Sequence, residues 1–243
     1  MFSSSDKLKV LYFNATSIRG KLLDFNSHFD ACSAKTDFEN LSETETWLNN
    51  SVFDEEILFI SNSSIFRRDR DVSVSEKKDG GGILIAVSSM FPSKRRCDLE
   101  SAIEILWVEV KINNSRKVFC GTVYIPPDCT GKSSVLTALE ESLDKVRGSM
   151  RSCDSVLLLG DFNLSDASWS IKTGCNYAVC DNLNSVSRTT GDMLDIFSCS
   201  ELRQHNVLPT CNGRPLDLVF SNALDTSITV SYTHLTLPTI LLV

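Results

Sequence analysis

An apolar run that stops on an acid and an amide constrains this chain more than any other feature. Ser155 to Leu159 reads as a strand, and Gly160-Asp161-Phe162-Asn163 ends it. Residues two apart on a strand face the same way, so Asp161 and Asn163 are expected to point together from a sheet edge. There Asp161 can accept a proton or position a water, and Asn163 can donate to an anionic oxygen. The same four residues also suit an ordinary strand-ending turn, where Asp and Asn are common.

Around this run, strands and helices mingle. Leu8 to Phe13 reads as a strand ending at Asn14, and Ile18 to Ala31 carries Leu22, Leu23, Phe25 and Phe29 at helical spacing. A short strand-like piece leads into Glu43-Thr44-Glu45-Thr46-Trp47-Leu48. Gly80-Gly81-Gly82 turns the chain into the apolar run Ile83 to Val87. Ile105 to Ile112, followed by Asn113-Asn114, predicts a hairpin with Lys117 to Tyr124. Ser133 to Met150 is a predicted amphipathic helix with Leu136, Leu139, Leu143 and Val146 on one face. Met193 to Leu202 is a second helix, and Leu216 to Phe220 a late strand. Hairpin-linked strands among helices give an α/β class with mixed or antiparallel sheets. The 243 residues, 42% of them hydrophobic, suffice for one large domain. Residues 8–231 are assigned to it. Residues 232–243 lack charge and pattern, and are expected to be a tail foreign to the domain.

A formal net charge of −7 bears on the partner. Binding DNA by broad charge neutralisation calls for a basic excess. An acidic balance suits a site that gathers carboxylates around a cation, with local basic patches guiding a polyanion. Arg67, Arg68 and Arg70, then Lys77 and Lys78, then Lys94, Arg95 and Arg96 are the candidate patches, each equally readable as a solvated loop. The nine cysteines form no CxxC pair and only three histidines exist, so no zinc-ligand spacing emerges. The first residues lack the pattern of a secretory signal, and no stretch is long and apolar enough for a bilayer. The cysteines are therefore read as reduced thiols of an intracellular protein with no membrane partner.

Three further segments hold chemistry. Glu45, before Trp47, can serve as a ligand for Mg²⁺, which binds few protein oxygens, or is a surface glutamate. Tyr124 ends a strand before Pro126-Pro127, where its phenol can donate to a phosphate oxygen or simply close the sheet. Asp217 sits within Leu216 to Phe220. A buried acid is costly unless paired, so it either orients a group such as a histidine or bonds nearby backbone.

The order Asn14, Glu45, Tyr124, Asp161-x-Asn163, Asp217 resembles the endonuclease/exonuclease/phosphatase superfamily. Within it, the chain is most similar to the apurinic-endonuclease-like domain of LINE-type (non-LTR) retrotransposons. That closer resemblance rests on Glu45-Thr46-Trp47-Leu48, on Arg67-Arg68-Asp69-Arg70 leading to Gly80-Gly81-Gly82, and on Tyr124-Ile125-Pro126-Pro127. Gly160-Asp161-Phe162-Asn163, Trp169, Gly191 to Leu194, Asn206, Pro209-Thr210 and Leu216 to Phe220 complete it. The resemblance implies a four-layer α/β sandwich, two packed mixed β-sheets flanked by helices, with an active site at one edge. It implies that Glu45 holds Mg²⁺ or Mn²⁺, that Asn14 helps position metal or phosphate, and that Asp161 orients or deprotonates water. Asn163 and Tyr124 would bind the phosphate, and Asp217 would orient a catalytic histidine. It further implies DNA as substrate, a nick whose 3′-hydroxyl primes reverse transcription, a downstream reverse transcriptase, and a nuclear site of action.

The sequence departs from the family pattern twice. Glu43-Thr44-Glu45-Thr46 is a small duplication in which Glu43 competes with Glu45, and Glu45 is preferred because it lies directly before Thr46-Trp47. Where the family has Ser-Asp-His, Ser231 is followed by Tyr232-Thr233-His234, so the terminal Asp–His pair is expected to be lost and activity impaired. His28 and His205 are read as surface or capping residues. A non-catalytic nucleic-acid-binding remnant, and a phosphatase or phosphodiesterase of the same superfamily, are the alternatives.

Overall fold

The structure is a computed structural model and describes residues 8–19, 39–57, 62–70, 80–129, 132–209, 214–223, 226, 229–231 and 240–242. In chain order the first strands are β1 (Val10–Asn14), β2 (Asn40–Thr44), β3 (Ser63–Arg68), β4 (Ile83–Ser88), β5 (Ser93–Arg95), β6 (Glu104–Lys111) and β7 (Lys117–Tyr124). Helix α1 (Ser133–Ser149) follows, then β8 (Ser155–Asp161), β9 (Trp169–Ile171), β10 (Ala178–Cys180) and helix α2 (Arg188–Cys199). The chain continues through β11 (Arg203–Gln204), β12 (Asp217–Ser221), β13 (Thr229–Ser231) and β14 (Ile240–Leu242).

Two sheets result, with strand orders β13-β14-β1-β2-β4-β3 and β5-β6-β7-β8-β12-β11-β10-β9. Both are mixed, since β1 runs parallel to β2 and β7 parallel to β8 while their other neighbours are antiparallel. Residues 240–242, assigned from sequence to the tail, form β14 between β13 and β1, with Leu11 opposite Leu242.

Alternation decides which side chains meet. Val10, Tyr12, Ile83, Ile85 and Val87 of the first sheet pack on Leu106, Val108, Cys120, Leu157, Leu159 and Val219 of the second. The next residues along face outward. Leu11, Phe13, Leu41, Leu84 and Ala86 are buried on the far side of the first sheet. Trp107, Phe119, Leu158 and Phe220 lie under α1 and α2 on the far side of the second. Sequestering these rows from water, at about 25 cal/mol per Å² of apolar surface, is what holds the layers together. The expected α/β sandwich of two packed mixed sheets is what the chain builds.

Helix α1 buries Val135, Ala138, Leu139, Ser142, Leu143 and Val146, the stripe that a 3.6-residue period puts on one face. Its one polar member is satisfied: Trp107 Nε1 donates to Ser142 Oγ at 2.9 Å, and Ser142 Oγ donates to Leu99 O at 2.7 Å. Helix α2 begins five residues before the expected Met193 and ends at Cys199 rather than Leu202. Its start is set by capping. Ser187 Oγ accepts from Thr190 N at 3.3 Å, while Asp166 accepts from Ser187 N and Thr190 Oγ1, both at 2.7 Å. The helix expected over Ile18 to Ala31 lies mostly outside the described residues, as do Lys77, Lys78, His28 and His234.

The candidate basic patches have another use. Arg67 donates to Val52 O, Asn49 O, Asp54 and Asp69, and Arg68 donates to Ile105 O and Ser101 O. Arg95 pairs with Glu100 and donates to Arg67 O, and Arg96 pairs with Asp98 and Glu109. Arg68 and Arg95 thus bridge the β3 edge of one sheet and the β5–β6 edge of the other. These four arginines are tied into the sandwich by carboxylates and carbonyls, so neither a free patch nor a solvated loop describes them, whereas Lys94 beside them is exposed. The guanidinium fork suits such work because its donors reach several carbonyls at once.

Candidate active site at the sheet edge

The inward-facing rows of four strands end on polar residues at one edge of the sandwich. On β1 the row is Val10, Tyr12, Asn14; on β7 it is Cys120, Thr122, Tyr124; on β8 it is Leu157, Leu159, Asp161. On β12 it is Ser221, Val219, Asp217. Register then sets neighbours: Asp161 lies opposite Tyr124 on one side and Asp217 on the other. Asn14 reaches across from the first sheet, its Nδ2 donating to Asp161 Oδ2 at 3.2 Å. Asn14 Oδ1 accepts from Thr16 N at 3.1 Å, which fixes the orientation of the amide.

Asn163 does not share the strand geometry expected of it. Strand β8 stops at Asp161, and Asn163 adopts φ +51°. That turn brings Asn163 N to Asp161 Oδ1 at 3.1 Å and sends Nδ2 to Ile125 O at 2.9 Å. The amide is therefore held beside Asp161 by the β7 exit, one of its two N–H groups already committed.

The two glutamates separate cleanly. Glu43 lies between Phe13 and Leu84 in the register of β2 and faces outward with Leu41. It is 0% exposed, on the opposite side of the sheet from Asp161. Glu45 would follow it by simple alternation. Instead the backbone turns at Glu45, φ +54°, as it leaves β2. Thr46 N and Trp47 N then bond Gly82 O and Gly81 O, and the Glu45 side chain meets the Tyr124 phenol and the field of Asp161.

Asp217 is buried, and Tyr12 Oη donates to its Oδ1 at 2.8 Å. Tyr12 Oη also lies 3.0 Å from Thr44 Oγ1. Behind the strand, Asn206 Nδ2 donates to Asp217 O at 2.6 Å. His205 is buried, not at the surface, because β11 carries it inward; its Nδ1 lies 3.2 Å from Asn176 O. Burial lowers its pKa.

Charge is crowded here. Burial, then the neighbouring Asp217 carboxylate, with a further push from Glu45, holds Asp161 well above the usual carboxylate range. Burial, then the Asp217 and Asp161 charges, raises the Tyr12 phenol. Burial, then the Glu45 contact, raises Tyr124, against a smaller opposing effect of Arg70. The Asp161, Asp217 and Glu45 carboxylates act on one another at this edge, a repulsion a dication would relieve. Among the described residues no three or more His, Cys, Asp or Glu side chains close around one point. The residues present fit a hard ion that takes few protein ligands and keeps its waters, as Mg²⁺ does.

No family model and no curated protein sequence matches the chain, but solved structures do. The endonuclease domain of TRAS1, a telomere-specific non-LTR retrotransposon, is similar over 97% of each chain, at 14% identity and a TM-score of 0.63. An AP endonuclease from Archaeoglobus fulgidus is similar over 97% of this chain and 98% of its own, at 14% identity and TM-score 0.61. An endonuclease/exonuclease/phosphatase family protein from Leptotrichia buccalis covers 97% and 98%, at 11% and 0.58. The chain has the endonuclease/exonuclease/phosphatase fold. In that fold's frame, Asn14, Glu45, Tyr124, Asp161, Asn163 and Asp217 come to a single edge. Tyr12 and Thr44, bonded to the candidate site through Asp217, are residues the sequence alone did not single out. Their signal was weak, since a tyrosine within an apolar strand reads as core. No helix of the described residues is long and apolar enough to cross a membrane.

Proposed function

We propose that this chain is a divalent-metal-dependent phosphodiesterase acting on DNA, the nicking endonuclease of a non-LTR retrotransposon. The observation that carries the reading is the convergence of Asn14, Glu45, Tyr124 and Asp217 on the buried Asp161 at one sheet edge. Glu45 would hold Mg²⁺, or Mn²⁺ in its place, which would supply charge neutralisation for the phosphate. Asp161, held by Asn14 Nδ2 and Asn163 N, orients the attacking water and accepts its proton. Tyr124 and the remaining N–H of Asn163 donate to the phosphate oxygens as charge builds in the transition state. Asp217, fixed by Tyr12, is placed to orient an acid/base group for the leaving oxygen, a role that is impaired because Ser231-Tyr232-Thr233-His234 lacks the Asp–His pair that would fill it. The nick leaves a 3′-hydroxyl, which a reverse transcriptase of the same polyprotein extends in the nucleus.

The test is relaxation of supercoiled plasmid with Mg²⁺ or Mn²⁺, beside hydrolysis of a small phosphate ester. Nicking that Asp161→Ala and Glu45→Gln each reduce by ~10²-fold or more, the scale of general acid–base help, supports the proposal. Ester hydrolysis without nicking would make the chain a phosphatase. DNA binding without either reaction, unchanged by Asp161→Ala, would make it a binding module.

A further inference from the structure

The tri-glycine turn and the last arginine of the Arg67–Arg70 run are not used by the chemistry above, yet they meet at its edge. Arg70 leaves the end of β3 with its side chain only 8% exposed. Its Nε donates to Glu104 Oε1 at 2.6 Å, and Glu104 Oε2 accepts from Gly82 N at 2.8 Å. Gly80, Gly81 and Gly82 have φ of +96°, +70° and +81°. A Cβ on Gly81 would land on the guanidinium itself, and one on Gly80 would lie 3.3 Å from Nη1. Gly80 and Gly81 therefore seat this guanidinium, while Gly82 is required because its Cβ would lie 2.7 Å from Thr46 Oγ1.

The other face of the guanidinium points to Tyr124. Its Cζ lies 5.4 Å from the ring centroid, and it also interacts with the phenol oxygen. Glu104 stands directly opposite Tyr124 in the β6–β7 register, so one arginine bridges a cross-strand pair. Arg70 differs from its neighbours Arg67, Arg68, Arg95 and Arg96 in one respect. It alone of the five has a buried nitrogen, Nη2, without a hydrogen-bond partner among the described residues. Arginines that serve only as latches have no reason to keep a sealed donor unused, since each costs free energy.

We propose that Arg70 is a positioning residue for Tyr124, held by Glu104, Gly80 and Gly81 so that the phenol presents its proton to the phosphate. A guanidinium has donors and no acceptor. The Tyr124 oxygen can therefore only accept from Arg70, and its O–H must point elsewhere: to Glu45 in the free chain, and to a phosphate oxygen when DNA is bound. Lysine cannot reproduce this, because an ammonium lacks the planar fork that spans Glu104, Gly81 and the ring together.

This inference rests on the nuclease reading, so its test is a double-mutant cycle with two readouts. Wild type, Arg70→Lys, Tyr124→Phe and the double variant are compared for nicking at saturating plasmid and for urea unfolding. Arg70→Lys is expected to lower the nicking rate at saturation ~10–100-fold, with KM for plasmid within about 3-fold, the scale of losing an aligned donor. The double variant should be no slower than the slower single. In unfolding, the midpoint shift of the double variant should be smaller than the sum of the two singles. Gly81→Ala displaces the guanidinium by another route and also disturbs the loop that places Glu45, so it should nick no faster than Arg70→Lys. Rate losses that multiply, or an Arg70→Lys variant that nicks at the wild-type rate, would overturn the proposal. If neither the wild type nor a version with Ser-Asp-His restored nicks at all, the nuclease reading fails. The unfolding cycle then still decides the contact, and additive midpoint shifts overturn it.

Discussion

Glu43 offers the sharpest perturbation, because the fold seals it away with nothing to pair with. It is 0% exposed, flanked by Phe13 and Leu84, and among the described residues neither carboxyl oxygen has a hydrogen-bond partner. Burial raises its pKa well above the ordinary glutamate value. Two costs follow. The unmade hydrogen bonds cost roughly 1–3 kcal/mol. In addition, the folded state keeps a proton that the unfolded chain releases above about pH 4.3, so stability falls by about 1.4 kcal/mol per pH unit from there up to the raised folded value. Replacing the carboxyl by an apolar side chain of similar size removes both. Glu43→Leu should therefore be more stable than wild type by roughly 1–3 kcal/mol at pH 5, with the gap widening as pH rises. At about 2–4 °C per kcal/mol for a chain of this size, several degrees of Tm are expected at pH 7. Glu43→Gln should lose the pH slope but keep the unpaired polar atoms, and so gain less. Urea melts at pH 5, 6, 7 and 8, read by tryptophan fluorescence, check this. A Glu43→Leu protein less stable than wild type at pH 7, or a wild-type stability that does not decline with pH relative to Glu43→Leu, would refute the reasoning. The same variant should nick as wild type does, whereas Glu45→Gln should not, because the two acids face opposite sides of β2.

Gly160→Ala should cost about 3 kcal/mol, the upper end for overpacking, since its Cβ would strike the Val123 carbonyl between β7 and β8; a soluble variant with an unchanged urea midpoint would contradict the packing. Against burial, which raises it, Arg151 and the backbone N–H groups of Arg151 and Lys117 hold Asp154 down at about 2. Its contribution is present above the unfolded value near pH 3.9 and is lost as pH falls through 2. Asp154→Asn should thus lose roughly 1.5–3 kcal/mol at pH 7 and flatten the acid limb of stability between those values. Because the Arg67, Arg68, Arg95 and Arg96 guanidinium groups are committed within the protein, DNA binding should depend weakly on salt. A log–log slope near −2 to −4 is expected, from about 0.9 per phosphate contact, and fluorescence anisotropy giving a slope steeper than about −6 would contradict that assignment of the arginines.

The sequence made the core strands legible because burial and alternation leave different marks. Ser155 to Leu159 and Ile83 to Val87 are buried on both faces and read as continuous apolar runs. The hairpin of β6 and β7 was visible from its period and its Asn113-Asn114 turn. The edge pieces were not. Strand β3 is half-buried and largely polar, and β9, β10 and β11 have only two or three residues, too short for any period to register. The arginines of the β3 and β5 edges look, as letters, like a patch for a polyanion. Only the placement of their carboxylate and carbonyl partners, distant in sequence, turns them into latches.

The candidate site follows a rule that alternation alone supplies in part. An inward row that runs apolar for most of its length and ends on a polar residue marks an edge where two sheets stop excluding water. Val10-x-Tyr12-x-Asn14 and Leu157-x-Leu159-x-Asp161 obey this directly, which is why Asn14 and Asp161 were legible without coordinates. Glu45 and Asn163 break the rule. Both sit just past a strand end with positive φ, +54° and +51°; for Glu45 that reversal swings the side chain to a face its parity does not predict, and for Asn163 it keeps the amide beside Asp161 by a turn rather than by strand geometry. Such a conformation disfavours side chains with a Cβ, so it persists only where neighbouring bonds impose it. For Glu45 those bonds come from Gly81 and Gly82, and for Asn163 from Asp161 and Ile125. The residues hardest to place from sequence are thus the ones whose position depends on another segment's backbone. The glycine turn both admits Arg70 and pins Trp47, and so connects the seat of the guanidinium to the placement of Glu45. A substitution in that turn should disturb Tyr124 and Glu45 together, because one loop supports both.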